Sequence, residues 1–410
     1  MVVDSTALCE QVTRDVIDGA FKSAGQRCSA LRILLIQEDC FDDVSNMIKG
    51  AIKELALGNP KYLHTDCGPV INQAAYNKLQ AHINDYAANA KVLVRANNSN
   101  IDGYYVAPTM IELESLDDIN EEFFGPILHV VRYQSDNLEE VILQLNAKGF
   151  GLTFGVHSRI KSQVDMLSQK VKAGNIYVNR NQVGAIVGSQ PFGGEGLSGT
   201  GPKAGGPSSL NGYSRRLDQI APCTDILLQS KSPLFFDQSI VGRISDAFPV
   251  LERSFIEHLK NTIYQYAQSV ELPGPTGESN TLSYHPKGRV LCLGPTNLDV
   301  LQQTIVALAL GNSVISNIGQ DVADQLVGLG VIQNMIVSVK LVSDELLCSD
   351  CYDAIFQSGD SIEVEMKVID RNTGITPVIN SVNEPWQLLN ERVVTVDTTA
   401  SGGNANLLAL

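Results

Sequence analysis

Apolar positions over the first 178 residues alternate between two spacings, and this alternation predicts a layered α/β domain. Helical periodicity predicts helices at 11–24, 41–56, 71–88, 137–147 and 160–171. In the third of these, one face carries apolar residues at every fourth position: Ile71, Ala75, Leu79 and Ile83. Between the helices, β-branched or aromatic runs predict strands: LRILLIQ, KVLVR, YYVAPTMI, ILHVVRY, GLTFGVHS and GNIYVN.

A glycine-rich stretch, VGSQPFGGEGLSGTGPKAGGPSSLNGY, interrupts this pattern and is predicted to be an ordered loop. A mostly helical connector follows, and after the turn ELPGPTGESN the α/β alternation resumes with GRVLCLG, LDVLQQTIVALALG, NSVIS, DQLVGLG and YDAIFQ. The tail RVVTVDTTASGGNANLLAL begins as a strand, so we expect it to dock on another surface. We therefore predict a first α/β domain at 1–215, a connector at 216–270, a second α/β domain at 271–390 and a strand-forming tail at 391–410.

Composition narrows the class of protein to a soluble globular one. The 410 residues are 44% hydrophobic and 18% charged, and 45 acidic against 30 basic residues leave a net charge of −15, which disfavours nucleic acid as a partner. Apolar runs such as TIVALALG fall short of the roughly 20 residues of a membrane span, so no transmembrane segment is expected. Eight scattered cysteines, without a secretory signal, indicate free thiols in a reducing cytoplasm.

Cys28 is the cysteine with the most suggestive position, between the helix-like run AFKSAG and the strand-like run LRILLIQ. Cysteine attacks a carbonyl only as its thiolate, so a catalytic thiol needs partial exposure and nearby positive charge or oriented N–H groups. Arg27 is its neighbour, and backbone N–H groups in such a connection can stabilise an oxyanion. Position alone leaves open the ordinary alternative, a small core residue.

Three segments, in order, resemble signature segments of the aldehyde dehydrogenase family. GQRCSALR resembles that family's nucleophile segment, EEFFGPILHV its E-x-F-G-P segment, and GNIYVNRNQVGAIVGSQPFGG its substrate-loop region. The chain is most similar to the C-terminal part of bifunctional members that also carry a proline dehydrogenase, above all at 2–36, 119–133, 174–207 and 391–408. The resemblance implies an aldehyde-dehydrogenase-type catalytic domain, then a degenerate Rossmann-like α/β domain and a β-strand tail.

This resemblance also implies the reaction and the residues that carry it. The reaction would be NAD-dependent oxidation of L-glutamate γ-semialdehyde to L-glutamate, the second step of proline catabolism. Cys28 would be the nucleophile, forming a hemithioacetal and then a thioester. Glu122 would bind the nicotinamide ribose of NAD, and Phe124 would lie beside the nicotinamide. Without the flanking Gly125-Pro126, Glu122 and Phe124 would be interpreted as a solvated acid and a core aromatic.

The carboxylate of the substrate needs an anchor, and a loop of small residues that presents backbone N–H groups can hold such an anion. The resemblance assigns this anchor to Ser29, Gly184 and Ala185, and places Phe192 beside the methylene groups of the substrate. Some relatives have serine at the position of Ala185, which matters little if the contact is made by the backbone. The alternative is a glycine-rich turn that merely closes the domain.

In the family, the general-base glutamate, the oxyanion asparagine and the nucleotide-binding domain precede the segment that matches VVDSTAL. We therefore expect residues 1–215 to be a catalytic half that is inactive by itself. FAD is expected only in an upstream proline dehydrogenase domain of a multifunctional oxidoreductase. The implied partners are a small aldehyde substrate and further copies of the chain in a homo-oligomer.

The second module resembles the first strand and helix of the family's nucleotide-binding domain through HPKGRVLCLGPTNLDVLQQTIVALALGNSVIS. Asn297 takes the position of the oxyanion asparagine, but Asn317 stands where the family has a cofactor-binding lysine, and PVINSV replaces the segment that carries the base. This implies a decayed nucleotide-binding fold with a structural role, covering an active-site surface or supporting dimer contacts.

Two motifs are interpreted as chance matches. Residues 194–199 fit G-x-G-x-x-G, but no hydrophobic strand precedes them and no helix is predicted to open there. The C-x-x-C from Cys348 to Cys351 has no second ligand pair, which indicates two free thiols rather than a metal site. Two alternatives for the function stay open: a dehydrogenase for another aldehyde, with Cys28 and Glu122 kept, and a non-catalytic fragment that acts in assembly.

Overall fold

The computed structural model describes residues 1–89, 91–97, 101–119, 121–213, 228–231, 235–236, 238–339, 343–349, 351–358, 362–368 and 376–399. The chain divides into two compact units. Unit 1 comprises Met1–Ile186, Gly274–Ser279 and Val394–Leu410, and unit 2 comprises Val187–Pro273 and Asn280–Val393. The four predicted domain ranges do not coincide with this division, since residues 187–215 belong to unit 2, and they stay a prediction.

Unit 1 contains the helices that the 3.6-residue periodicity predicts. They are α1 Cys9–Phe21, α2 Phe41–Glu54, α3 Gln73–Ala88, α4 Leu138–Ala147 and α5 Lys161–Lys170. Its strands are β1 Val2–Val3, β2 Ile33–Gln37, β3 Val92–Arg95, β4 Thr109–Leu113, β5 Ile127–Tyr133, β6 Phe150–Gly151, β7 Thr153–His157 and β8 Asn175–Val178. Helix α1 ends before the predicted residue 24 because Ser23 and Ala24 adopt left-handed backbone angles.

Most of these strands form one sheet, in the order β8-β7-β1-β2-β5-β4-β3. Neighbours are parallel except β3 and β4. One prediction was too long: YYVAPTMI was expected to be a strand throughout, but β4 starts at Thr109. Pro108 immediately precedes it, and proline has no N–H to donate to a sheet. The two-residue strand β1 was not predicted because it is too short to show a periodicity.

The core of unit 1 lies on both faces of this sheet, because successive side chains of a strand point to opposite faces. In β2, Leu34 and Ile36 join the cluster that contains apolar residues of α1 and α2. Leu35, between them, joins the cluster that contains residues of α3, α4 and α5. Burial on both faces explains why the parallel strands are continuous apolar runs rather than alternating ones.

Unit 2 contains a second parallel sheet, and its topology is that of a dinucleotide-binding fold. Its helices are α6 Gln238–Ala247, α7 Arg253–Tyr266, α8 Asn297–Ala309, α9 Gln320–Gly328, α10 Asp344–Leu347 and α11 Ile362–Val368. Strands β13 Arg289–Cys292, β14 Ser313–Ser316, β15 Ile336–Ser338, β16 Ala354–Phe356 and β17 Val378–Ile379 are parallel, in the order β15-β14-β13-β16-β17. The order reverses at β13, as in doubly wound α/β sheets, which confirms the predicted Rossmann-like fold.

The remaining strands are β9 Glu195–Gly196, β10 Leu228–Lys231, β11 Gln268–Leu272, β12 Glu278–Pro286 and β18 Leu389–Asp397. Helices α6 and α7 lie in the range predicted as a mostly helical connector, which also contains β10 and the start of β11, where Gln268 pairs with Lys231 in an antiparallel ladder. The connector as a whole stays a prediction. The tail begins as the predicted strand within β18. Its apolar end, 400–410, lies outside the described residues, so the docking of the tail stays a prediction.

In unit 2 the glycine-rich stretch is ordered by charged contacts with β18 and with the chain just after β12. The Lys203 N–H donates to Glu391 Oε2 at 2.6 Å, and Arg392 pairs with Glu195 at 3.0 Å. The Lys287 ammonium donates to the Thr200 carbonyl oxygen at 3.1 Å. Burial lowers the pKa of Lys203 to about 7 and that of Lys287 to about 8. The prediction of an ordered loop is confirmed, and no helix begins within 194–199.

Within the described part of the chain, no helix is both long enough and apolar enough to cross a membrane.

Candidate active site

Cys28 lies at the centre of a tight turn between α1 and β2. The Ala30 N–H donates to the Arg27 carbonyl oxygen at 3.1 Å and closes the turn, so that Cys28 and Ser29 are its two central residues. The side chain of Cys28 is exposed, whereas Ser29 is buried. Among the described residues the Cys28 N–H has no hydrogen-bond partner. The turn thus presents a reachable thiol beside an N–H that can serve an oxyanion.

The backbone just before this turn is left-handed at three successive residues: Ser23, Ala24 and Gly25 have φ of 58°, 52° and 63°. Such angles are uncommon for residues other than glycine. At Gly25 space also matters, because a Cβ there would lie 2.2 Å from the Gly125 carbonyl oxygen. The backbone just before the Cys28 turn therefore approaches Gly125, in the E-x-F-G-P segment, so closely that only glycine fits at position 25.

Arg32 joins the Cys28 turn to that segment. Its Nη1 donates to the carbonyl oxygen of Gly25 at 2.6 Å, and its Nη2 donates to that of Arg27 at 3.2 Å. Its Nε donates to Glu122 Oε1 at 3.3 Å, and its guanidinium lies 4.7 Å from the centre of the Phe124 ring. Burial lowers the pKa of Arg32, and the nearby Glu122 carboxylate opposes that shift. Two residues predicted to bind cofactor thus share one arginine with the turn that carries the thiol.

The other side chains of the segment face helix α3. Glu121 pairs with Lys78, and the ring of Phe123 stacks on that of His82 with a centroid distance of 3.5 Å. A Cβ at Gly125 would lie 2.3 Å from a methyl group of Leu79, so a larger residue here would displace that buried side chain. Side chains therefore alternate between α3 and Arg32, as in an extended backbone.

A buried histidine pair lies beneath this segment. Nε2 of His82 in α3 is 2.8 Å from Nε2 of His129 in β5, and Nδ1 of His129 is 3.3 Å from the Arg32 carbonyl oxygen. Burial lowers the pKa of His129 to about 3 and that of His82 to about 4, so both rings are neutral near pH 7. One ring must donate and the other accept at this distance.

The predicted carboxylate anchor is connected to the same turn through Gln182. The Gln182 side chain is buried and donates to the Ser29 carbonyl oxygen at 3.4 Å and to Thr153 Oγ1 at 3.2 Å. Gly184 and Ala185 follow two and three residues later and are exposed. Gly184 has φ of +87°, and no atom lies within 4 Å of a Cβ built on it. The loop is therefore close to Ser29 and open to solvent.

Phe192 lies in unit 2, where its N–H donates to the Ala204 carbonyl oxygen at 3.0 Å and the Ala204 N–H donates back at 2.9 Å. Its place beside a substrate stays a prediction, since Ser29, Gly184 and Ala185 lie in unit 1. Cys348 and Cys351 form no disulfide within the described residues, and their interpretation as two free thiols rather than a metal site stays a prediction. Their intervening Asp350 is outside the described residues.

Sequence reasoning missed Arg32 and Gln182. Both occur inside segments that resemble the family, in GQRCSALR and in the loop before Gly184, so their positions were visible. What was not visible is their partners, since Glu122 lies 90 residues from Arg32 and Ser29 lies 153 residues from Gln182. The available signal was an arginine at the edge of the apolar run LRILLIQ, four residues after Cys28, because a partly buried guanidinium needs a carboxylate or several carbonyl oxygens.

Comparison with protein families agrees with this fold and with the order of its motifs. The model of the Aldehyde dehydrogenase family matches residues 1–217. This match covers more than half of the chain, and the chain belongs to the aldehyde dehydrogenase family. The resemblance inferred from the three segments is confirmed.

Comparison with individual proteins gives a more specific similarity than the family model does. The chain is similar to Bifunctional protein PutA of Klebsiella aerogenes, with 39% identity over 429 residues that cover 98% of this chain and 32% of the relative. Bifunctional protein PutA of Rhizobium meliloti is 36% identical and covers 100% of this chain, which spans 34% of that relative. The chain thus spans about a third of the length of these relatives.

A further relative matches about half of this chain. The 1-pyrroline-5-carboxylate dehydrogenase of Bacillus thuringiensis (strain Al Hakam) is 34% identical over 212 residues, which are 51% of this chain and 41% of that protein. Among solved structures, proline utilization A (PutA) from Corynebacterium freiburgense covers 97% of this chain and 38% of its own, with a TM-score of 0.69 at 22% identity. At that identity the likeness shows the fold alone, and it extends over both units.

Proposed function

We propose that this chain provides the thiol nucleophile of an NAD-dependent aldehyde dehydrogenase that converts L-glutamate γ-semialdehyde to L-glutamate in proline catabolism. The observation that carries the proposal is the junction at Arg32. There the turn of the exposed Cys28 is joined to Glu122 and Phe124, the residues expected to contact cofactor. The names of the relatives, a 1-pyrroline-5-carboxylate dehydrogenase and bifunctional PutA proteins, support this choice of substrate.

Cys28 would act by covalent catalysis. Its thiolate sulfur adds to the aldehyde carbon, forming a C–S bond while the carbonyl electrons move to the oxygen, and the Cys28 N–H would stabilise that oxyanion. Loss of hydride from the same carbon leaves a thioester. Water then attacks the acyl carbon, the C–S bond breaks, and the carboxylate product leaves with the thiol regenerated. The general base for this last step is expected from the glutamate that precedes the matched segments in the family.

Glu122 and Phe124 fit the predicted cofactor contacts because both remain reachable. The Glu122 side chain is 38% exposed and Phe124 is 45% exposed, although Arg32 holds both. NAD⁺, when bound, supplies the hydride acceptor. The contribution of this chain would be to bind the ribose through the carboxylate of Glu122 and to orient the nicotinamide with the ring of Phe124.

The second unit is proposed to be structural rather than cofactor-binding. At the start of α8, where a dinucleotide-binding fold receives a phosphate, Thr296 and Asp299 form a capping box, and Asp299 Oδ2 accepts from the Thr296 N–H at 3.2 Å. A carboxylate there repels a phosphate. A Cβ at Gly294 would lie 2.5 Å from the Val300 nitrogen, so the loop is packed closely on the helix.

Cytoplasmic location, a homo-oligomeric state and an upstream FAD-containing proline dehydrogenase stay predictions.

The test of the substrate is selectivity at the proposed anchor. NADH formation would be measured on a version of the chain extended upstream through a nucleotide-binding half, with glutamate semialdehyde and with an aldehyde of similar length that lacks the carboxylate. We expect a preference for the semialdehyde that Gly184→Ala reduces about tenfold or more in kcat/KM, because the added Cβ distorts a backbone at φ +87°.

Gly188→Ala is the matched control, since Gly188 has φ of +85° and equally open surroundings. Equal activity on both aldehydes in the parent protein would contradict the proposed substrate and favour the alternative of a dehydrogenase for another aldehyde. Calorimetry of the 410-residue chain with NAD⁺ addresses the other alternative, because heat of binding would contradict a purely structural fragment.

A further inference from the structure

Arg32 occupies a position that neither the motifs nor the comparisons assign. Its side chain is 14% exposed and lies between the Cys28 turn on one side and residues 122–125 on the other. Nη1 bonds to the carbonyl oxygen of Gly25 at 2.6 Å and to that of Gly125 at 3.3 Å, so a single nitrogen bridges the two segments. A guanidinium suits this place because its donors lie in a rigid plane that can also stack on an aromatic face.

We propose that Arg32 is a positioning residue that holds the carboxylate of Glu122 and the ring of Phe124 in fixed relation to the Cys28 turn. The proposal rests on the proposed function, in which these residues contact the cofactor. Two of its contacts are directional: the Nε to Oε1 bond of 3.3 Å aims the carboxylate, and the guanidinium at 4.7 Å from the ring centre fixes the ring face. Rotation of either side chain away from Arg32 would lose one of these contacts.

The opposite side of the segment 121–125 is held by helix α3, so the orientation of Glu122 and Phe124 depends on Arg32. Glu121 and Phe123 are tied to Lys78 and His82 of helix α3. These side-chain contacts hold the α3 face of the segment but touch neither Glu122 nor Phe124, whereas Arg32 also bonds to the backbone at Gly125. Within the described residues, Arg32 is the side chain that makes an ion pair with Glu122.

A double-mutant cycle tests whether Arg32 acts through Glu122. The variants are Arg32→Met, Glu122→Gln and the two combined, made in the extended, NAD-utilising protein. We expect Arg32→Met to raise KM for NAD⁺ about tenfold and to lower kcat, with a much smaller effect when Glu122→Gln is already present. The same fold-change in both backgrounds would overturn the proposal, as would an unchanged KM for NAD⁺.

Two variants control for folding and for general loss of charge. Arg32→Lys keeps the charge without the planar fork, so we expect an intermediate KM. Arg132→Met is the matched control, since Arg132 on β5 also stacks on an aromatic ring, at 3.9 Å from the centre of Phe41, and lies within 4 Å of carboxylates of Asp42 and Glu112. Arg132 lies three residues beyond His129 on β5, and His129 pairs with Ile33, the neighbour of Arg32. Arg132 is therefore roughly 10 Å farther along the sheet. Arg132→Met should leave kcat and the KM for NAD⁺ unchanged.

A second readout needs no cofactor and therefore separates this proposal from the proposed function. Amide hydrogen exchange of residues 121–125 would be followed in the 410-residue chain. We expect Arg32→Met to accelerate exchange there about tenfold relative to Arg132→Met, with equal thermal midpoints for the two variants. Equal exchange rates would overturn the positioning role even if the parent enzyme is active. Absence of NADH in the parent would count against the proposed function alone, because the exchange result then decides the role of Arg32.

Discussion

At the scale of single residues, a stretch of uncommon backbone conformation lies next to the candidate nucleophile. Ser23, Ala24 and Gly25 hold left-handed angles one after another, and the chain then enters the Cys28 turn. Left-handed conformations of non-glycine residues persist only where surrounding contacts determine them, and they are frequent at functional sites. Here the Gln26 N–H donates to the Ser23 carbonyl oxygen at 3.0 Å, Arg27 Nε donates to Ser23 Oγ at 2.9 Å, and Arg32 Nη1 donates to the Gly25 carbonyl oxygen at 2.6 Å.

Gly25→Ala should be among the most damaging single substitutions in unit 1. The added Cβ would meet the Gly125 carbonyl oxygen at 2.2 Å and would also force alanine to φ of +63°. We expect a loss of about 2–4 kcal/mol in the free energy of unfolding, measured by chemical denaturation.

Gly50→Ala is the contrasting variant. Gly50 lies inside helix α2 with no atom within 4 Å of the added Cβ, so alanine should stabilise the protein by about 0.5–1 kcal/mol. Similar effects of the two substitutions would show that the crowding at Gly25 is not as described.

How much of the site was predictable depends on where its partners lie in the chain. Cys28, Glu122 and Gly184 could be proposed because each belongs to a short contiguous segment that resembles a family motif. Arg32 and Gln182 occur in the same segments, but their importance comes from contacts with residues far away in sequence. Periodicity and motifs report local structure, whereas such contacts depend on how the sheet brings β2, β5 and β8 together.

At the scale of elements, prediction succeeded where an amphipathic or buried pattern was long enough. Helices α1 to α5 were found within three residues of their predicted ends. The antiparallel strands β11 and β12 were missed, because QSVEL follows directly on the helical run of α7 and ESNTLSYHP is largely polar. Their strand character comes from pairing with neighbours, which a single sequence does not show.

Helix α8 offers a test of the capping interpretation. Its N-cap Thr296 accepts from the Asp299 N–H at 3.2 Å, so Thr296→Ala should lower the free energy of unfolding of unit 2 by about 1 kcal/mol. Glu252 at the N-cap of α7 makes no capping bond, and Glu252→Ala should stay within about 0.5 kcal/mol. Denaturation curves that do not separate the two variants would contradict the capping box.

The packing of α3 on β5 predicts a dependence of stability on pH. His82 and His129 have folded-state pKa values of about 4 and about 3, both lowered by burial from 6.5. The unfolded chain therefore binds more protons as the pH falls below 6.5, and stability should fall from there towards pH 4, by up to about 1.4 kcal/mol per pH unit for each ring. Urea denaturation between pH 4 and 8 measures this slope.

Replacing both rings, His82→Phe with His129→Leu, should reduce the slope without removing it, because burial also lowers the pKa of His157 to about 4 and that of His285 to about 3. His64→Gln, at an exposed histidine, is the control for replacing a ring elsewhere. An unchanged slope in the double variant would mean that other groups cause it.

At the scale of the whole molecule, unit 1 carries the candidate nucleophile and cofactor contacts, and unit 2 carries a doubly wound sheet whose helix N-terminus is capped by its own threonine and aspartate. The order of strands in that sheet could be predicted from its resemblance to a nucleotide-binding domain. That this sheet binds no phosphate stays a prediction, based on Asn317 and supported by the position of Asp299 in the capping box of α8. Because the candidate nucleophile and the candidate cofactor contacts lie in unit 1, single substitutions there should have the largest effect on activity.

The most direct test of the central claim is NADH formation from glutamate semialdehyde, run on the 410-residue chain and on a version extended upstream through a nucleotide-binding half. Each is compared with its Cys28→Ala and Cys348→Ala variants, since Cys28 and Cys348 are both exposed thiols. We predict activity in the extended version only, abolished by Cys28→Ala and unchanged by Cys348→Ala. Full activity of Cys28→Ala would contradict the assignment of the nucleophile, and activity of the 410-residue chain alone would contradict the structural role of unit 2.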